Sequence, residues 1–304
     1  MNKTVKTLGS SVITPFAKAS IISILNVCII FAACTQRAEN HEKTAWEYDE
    51  VKGKVKTLRS RGYTAIIDTL GQVRKGEIIA VEWGFNNTLI KYDEEGRWTE
   101  YSSYEPDGSI IRKEVQEYDS KGNPAVQYIY NREVFDHKKI YISDKDGNTV
   151  EIRRCTPTDS LIYKSLFKYD ENGNDIEASG YTSADSLVGT TLSKYDEKGN
   201  CIEECNYKEG KFLESKFLYK YDNNGKRIER SNYDSEGKLA EKTTYKYNEE
   251  GLRTETCVYD SEGNLKKITT CKYRYDMNGN WIEKIDYESD VATKITERQI
   301  EYFE

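Results

Sequence analysis

The chain has 304 residues, 52 of them acidic and 45 basic, with a formal net charge of −7 and a mean hydropathy of −0.80. Such polarity with 37% apolar residues would fit a disordered chain, but 24 Tyr, 8 Phe and 4 Trp are an aromatic load that disordered chains lack, so a folded body is required. Four prolines and frequent Thr, Tyr and Val favour strands, and the acidic balance without a basic cluster argues against nucleic acid as a partner.

Residues 1–33 read as a signal peptide. Lys3, Lys6 and Lys18 form a basic start, and the stretch Ala19 to Ala33 is apolar apart from Ser20, Ser23 and Asn26. That run is shorter than the roughly 20 residues a spanning helix needs, although an uncleaved anchor helix is the alternative. It ends in Phe31-Ala32-Ala33-Cys34, which resembles the lipobox of bacterial lipoproteins. The resemblance implies cleavage after Ala33, lipidation of Cys34 with palmitate among the acyl chains, and an outer-membrane lipoprotein of the bacterial cell envelope, held to its membrane by that lipid. Cleavage removes three lysines and no acid, moving the net charge from −7 to −10. Residues 34–50 are then the lipidated Cys and a polar linker.

Residues 51–90 hold strand patterns at Val55 to Tyr63 and Ile78 to Trp83 without a clean period, and read as a divergent N-terminal β cap. From 91 to 304 the chain repeats. Tyr169 to Glu177 (YDENGNDIE), Tyr195 to Glu203 (YDEKGNCIE) and Tyr275 to Glu283 (YDMNGNWIE) share Tyr-Asp-x-x-Gly-Asn-x-x-Glu, and the glycines from Gly96 to Gly279 recur every 26 residues save one interval of 25 and one of 28. A second turn bisects each unit, as at Tyr233-Asp-Ser-Glu-Gly and Tyr259-Asp-Ser-Glu-Gly. Asp-x-x-Gly suits a type I turn followed by a left-handed glycine, so each unit is two strands and two tight turns. The fold class expected is all-β: tandem antiparallel hairpins forming one long, twisted and coiled meander sheet behind an N-terminal signal helix.

Pairing Asp276 with Asn280 puts Tyr275 opposite Trp281 and Tyr273 opposite Glu283, and the next turn back puts Tyr259 opposite Leu265. Strand alternation then gathers an aromatic ladder of Tyr219, Tyr221, Tyr233, Tyr245, Tyr247, Tyr259, Tyr273, Tyr275, Trp281 and Tyr287 on one face, as the core of a curled sheet or as a platform for an extended glycan. Units such as Tyr219-Lys-Tyr-Asp-Asn-Asn-Gly are similar to the YD repeats of RHS-type proteins and, more loosely, to MORN-type hairpin repeats. The resemblance covers about residues 92 to 304 and implies a shell-like β array or a role beside an RHS-type toxin, as an accessory or immunity-like partner.

No residue stands out as catalytic. Glu100, Glu177, Glu203, Glu229, Glu255 and Glu283 fill one slot in every unit, whereas a glycan hydrolase needs one special pair of carboxylates. Calcium loops need an acid five residues before the glycine, where this chain has Lys168, Lys194, Lys220 and Lys246. Cys155, Cys201, Cys205, Cys257 and Cys271 are odd in number, and His41 and His137 are too few to complete a metal site, so neither metal nor cofactor is expected. The function that emerges is a non-catalytic binding or scaffold module, for a glycan or a protein partner.

Overall fold

The computed structural model describes residues 44–80 and 86–304; the expected signal helix and Cys34 lie outside the described residues. One short helix, α1 (Ala45–Tyr48), precedes the strands β1 (Val55–Ile67), β2 (Val73–Ile78), β3 (Asn87–Tyr92), β4 (Trp98–Tyr104), β5 (Ile110–Tyr118), β6 (Pro124–Asn131) and β7 (Val134–Ser143). There follow β8 (Thr149–Cys155), β9 (Leu161–Tyr169), β10 (Asp175–Thr182), β11 (Leu187–Tyr195), β12 (Cys201–Lys208) and β13 (Phe212–Tyr221). The last six are β14 (Arg227–Tyr233), β15 (Leu239–Tyr247), β16 (Arg253–Tyr259), β17 (Leu265–Tyr275), β18 (Trp281–Glu288) and β19 (Val291–Tyr302).

The turn chemistry builds each hairpin. At the β11–β12 turn Asp196 Oδ1 accepts the backbone N–H groups of Lys198 at 2.9 Å and Asn200 at 2.8 Å, and the Gly199 N–H donates to the Asp196 carbonyl at 3.0 Å. Gly199 sits at φ +76°, where a side chain would be strained. The same aspartate contacts recur at Asp119, Asp170, Asp222 and Asp276.

Just past each turn the ladder slips. Tyr195 pairs with Cys201 but Lys194 pairs with Glu203, leaving Ile202 as an extra residue, a β-bulge. The slip recurs after Tyr221, Tyr233, Tyr247, Tyr259 and Tyr275. Side chains alternate along a strand, so each extra residue exchanges the two faces. Two hairpins per unit restore the parity. Residues 26 apart therefore share a side, while the two turn tyrosines within one unit point to opposite sides.

Consecutive strands pair from β3 to β19, as a meander should, but the sheet does not stay open. β19 pairs with β1 from Val55–Tyr302 to Thr64–Lys294, and the other edge of β1 pairs with β3 and, further along, with β2. β2 and β3 occupy one place in the ring, which makes a closed antiparallel barrel of 18 strands. The expected open, coiled meander is thereby corrected. Repeated bulges add coil, and an open array would expose two edges of unpaired N–H and C=O groups that closure satisfies.

Residues 44–54 lie across one mouth of the barrel, at the end that carries the Tyr-Asp-x-x-Gly turns. Ala45 N–H donates to the Gly96 carbonyl at 3.0 Å, and Trp46 packs so near Gly96 that a Cβ there would fall 2.6 Å from the indole. Lys52 N–H donates to Asn280 Oδ1 at 2.6 Å, and Asn280 Nδ2 returns a bond to the Lys52 carbonyl at 2.9 Å. Val51, Val55, Leu58 and Tyr92 form a buried cluster with Trp46, Trp98, Ile300 and Tyr302 around it.

If the ring is closed, amides of β1 and β19 should exchange with deuterium as slowly as those of β13 to β16; fast exchange along either strand would indicate free edges. Leu58→Ala, at a site 2% exposed beside the seam, should lower unfolding free energy by about 3 kcal/mol in urea titration.

Candidate functional site

The pairings sort side chains into two walls. On the outer wall Glu203 accepts Lys194 and Lys216 at 2.7 Å each, Lys220 meets Glu229 at 2.8 Å, Lys246 meets Glu255 at 2.8 Å and Lys168 meets Glu177 at 2.9 Å. The repeated glutamates are thus structural partners of neighbouring lysines. Lys168, Lys194, Lys220 and Lys246 keep 68–72% of their side-chain surface in solvent, so each pair contributes about 0–1 kcal/mol. Outward residues of β13 read Leu213, Lys216, Leu218, Lys220, and those of β15 read Leu239, Lys242, Thr244, Lys246.

The lumen wall is different. Tyr245 lies between two guanidinium groups, Arg227 at 5.6 Å and Arg253 at 4.4 Å from its ring centre, and Arg227 also covers Tyr219 at 5.2 Å. The Tyr273 hydroxyl donates to the Arg253 carbonyl at 2.7 Å, its ring meets Trp281 edge-on at 5.9 Å, and Arg298 lies 3.6 Å over Trp281. The result is one row, Tyr219, Arg227, Tyr245, Arg253, Tyr273, Trp281, Arg298, running from β13 to β19 near the mouth where residues 44–54 sit. Each ring–cation contact contributes about 0.5–2 kcal/mol and fixes the plane of its guanidinium group. Tyr219 and Trp281 are buried, Arg227 and Tyr245 half-buried and Arg253 exposed.

At the end of the row Arg298 is enclosed by residues 44–54. Its Nη1 donates to the Asp49 carbonyl at 3.3 Å, and the Tyr92 hydroxyl donates to Asp49 Oδ2 at 2.6 Å. Burial pulls the Arg298 guanidinium down to about 10 and pushes the Asp49 carboxyl up.

Of the ladder expected on one face, Tyr219, Tyr221, Tyr245, Tyr247, Tyr273, Tyr275 and Trp281 line the lumen. Tyr233, Tyr259 and Tyr287 stand on the outer wall, Tyr259 under the Lys242 ammonium at 5.0 Å and Tyr287 under that of Lys272 at 5.0 Å. Tyr275 does face Trp281 and Tyr259 does face Leu265, but Tyr273 faces Lys284, and Glu283 faces Arg274. The bulge at Ile282 makes the difference. The equivalent bulge at Ile202 separates Cys201, in the lumen, from Cys205, on the outer wall. The five cysteines of the barrel are free thiols, and burial raises Cys271, whose Sγ donates to Asp286 Oδ1 at 3.0 Å, to about 11.

Sequence reasoning missed Arg227, Arg253 and Arg298. Arg227 and Arg253 occupy the position two after the turn glycine, the position of Trp281, and that shared register was the available signal. Asp175 holds the same position on β10. Burial is the main cause that pushes its carboxyl up to about 7, with backbone hydrogen bonding by Glu177 opposing and the Glu177 and Glu204 charges adding to the rise.

No sequence-family profile matches the chain, and no characterised protein is significantly similar to it. Among solved structures, a porin-like protein from Bacteroides uniformis ATCC 8492 aligns over 81% of this chain and 96% of its own, at 10% identity and a TM-score of 0.39. One from Bacteroides vulgatus ATCC 8482 aligns over 83% and 99%, at 10% identity and 0.31. TcdB2-TccC3-TEV aligns over 76% of this chain and 15% of its own, at 12% identity and 0.29.

A carboxyl raised by folding stabilises the protein below its unfolded value near 3.8, and that stabilisation is lost as pH rises through about 7. Asp175→Asn should therefore leave unfolding free energy nearly unchanged at pH 4 and raise it at pH 8, by up to about 4 kcal/mol, as read from urea titrations at the two pH values. Equal shifts at both pH values would mean the carboxyl is not held neutral.

Proposed function

We propose that this chain is a lipid-tethered binding module of the bacterial envelope whose barrel stands in water and does not itself cross the bilayer. The observation that carries the reading is the outer wall. A transmembrane barrel presents an apolar band about 25 Å tall to lipid, and a Lys or Arg at mid-bilayer costs about 2–4 kcal/mol. Here lysine occupies alternate outward positions on β9, β13 and β15, with Lys164, Leu166, Lys168 on the first of these. Two charged levels within one strand leave no room for that band.

The lipobox at Cys34 supplies the membrane attachment that such a wall could not. Residues 44–54 sit at one mouth, so the tether leaves from that end. The lumen row then acts by binding, its rings and guanidinium groups held ready by their neighbours.

The wild-type chain expressed in a Gram-negative host should fractionate with membranes, and Cys34→Ala should move it to the soluble fraction. Residues 35–304 should purify as a monodisperse β protein without detergent. Recovery of that species only in detergent, or its spontaneous insertion into vesicles, would overturn the reading.

A further inference from the structure

The lumen of β13 to β19 carries charge out of keeping with an acidic chain. Its basic residues are Arg227, Arg230, Arg253, Lys267, Lys284, Lys294 and Arg298, against Glu241, Asp286 and Glu288. Two of the seven are neutralised locally, Lys267 by Glu288 at 2.5 Å and Lys284 by Asp286 at 2.8 Å. Among the described residues Arg227, Arg230 and Arg253 have no ion-pair partner; each lies instead over a ring, Arg230 over Phe217 at 4.4 Å. Glu204, on β12, feels the charges of Arg230 and Arg227.

Stacking leaves the edge of a guanidinium group, with its fork of N–H donors, open to a carboxylate or sulfate. Arg227 and Arg253 stand on alternate strands, about 9.6 Å apart by strand spacing, with Tyr245 between them. That interval suits a chain with one acidic group per disaccharide. Phosphates along a nucleic-acid strand are denser, one per roughly 3.4 Å of duplex axis.

We infer that Arg227 and Arg253, held in plane by Tyr219 and Tyr245, bind an extended acidic glycan through carboxylate or sulfate groups seated on the two guanidinium forks. This rests on the binding-module reading above and names its ligand class.

The test uses residues 35–304, which contain every described strand, titrated with a hyaluronate hexasaccharide, cellohexaose and an oligothymidylate and followed by tryptophan fluorescence and calorimetry. The hyaluronate fragment should bind about tenfold or more tighter than cellohexaose at low salt. R227Q/R253Q should erase that difference while leaving the circular dichroism unchanged, and R227K/R253K should restore part of it. Tyr245→Ala, which releases both guanidinium planes, should weaken the hyaluronate fragment more than cellohexaose. Equal binding of the neutral and acidic sugars, unaffected by R227Q/R253Q, would overturn the acidic preference and leave the binding module standing. Tighter binding of the oligothymidylate, or no binding of either sugar, would overturn the assignment of a glycan altogether.

Discussion

The extra residue that follows each turn governs this molecule. A hairpin closed by Asp-x-x-Gly would by itself keep the pairing numbers of its strands constant, and every turn tyrosine would then stand on one side. The bulge breaks that constancy once per hairpin, at residues such as Ile202, Ile228 and Ile282. It exchanges the faces, and it adds the local twist and coil that bring distant strands round to meet. Closure, the division of the aromatics and the separation of charge all follow from it.

Charge separation is its most consequential effect. On the outer wall Lys and Glu fall opposite each other and neutralise locally, at the marginal energies of exposed pairs. In the lumen arginines fall opposite tyrosines, where the ring fixes the guanidinium plane and leaves the charge unneutralised. A chain with a net charge of −7 thereby holds a cationic strip in its interior.

The segment without a visible period carries the unrepeated work. β1 joins the two ends of the array, and the residues before it reach across one mouth to bond Gly96, Tyr92, Asn280 and Arg298. A repeat cannot supply such contacts, because each would have to be made once rather than in every unit.

The sequence by itself determined the strands, the turns and the pairing nearest each turn, because aspartate and glycine act on backbone groups within five residues. Tyr275 opposite Trp281 and Tyr259 opposite Leu265 are of this kind. Tertiary structure alone decided which wall each side chain joins and that β19 returns to β1. The bulge leaves no residue signature separate from the turn, since Cys201-Ile202 and Arg227-Ile228 look like ordinary alternation. The β1–β19 seam joins Val55 to Tyr302, residues that share no repeat position, and only the summed coil of the intervening hairpins brings them together.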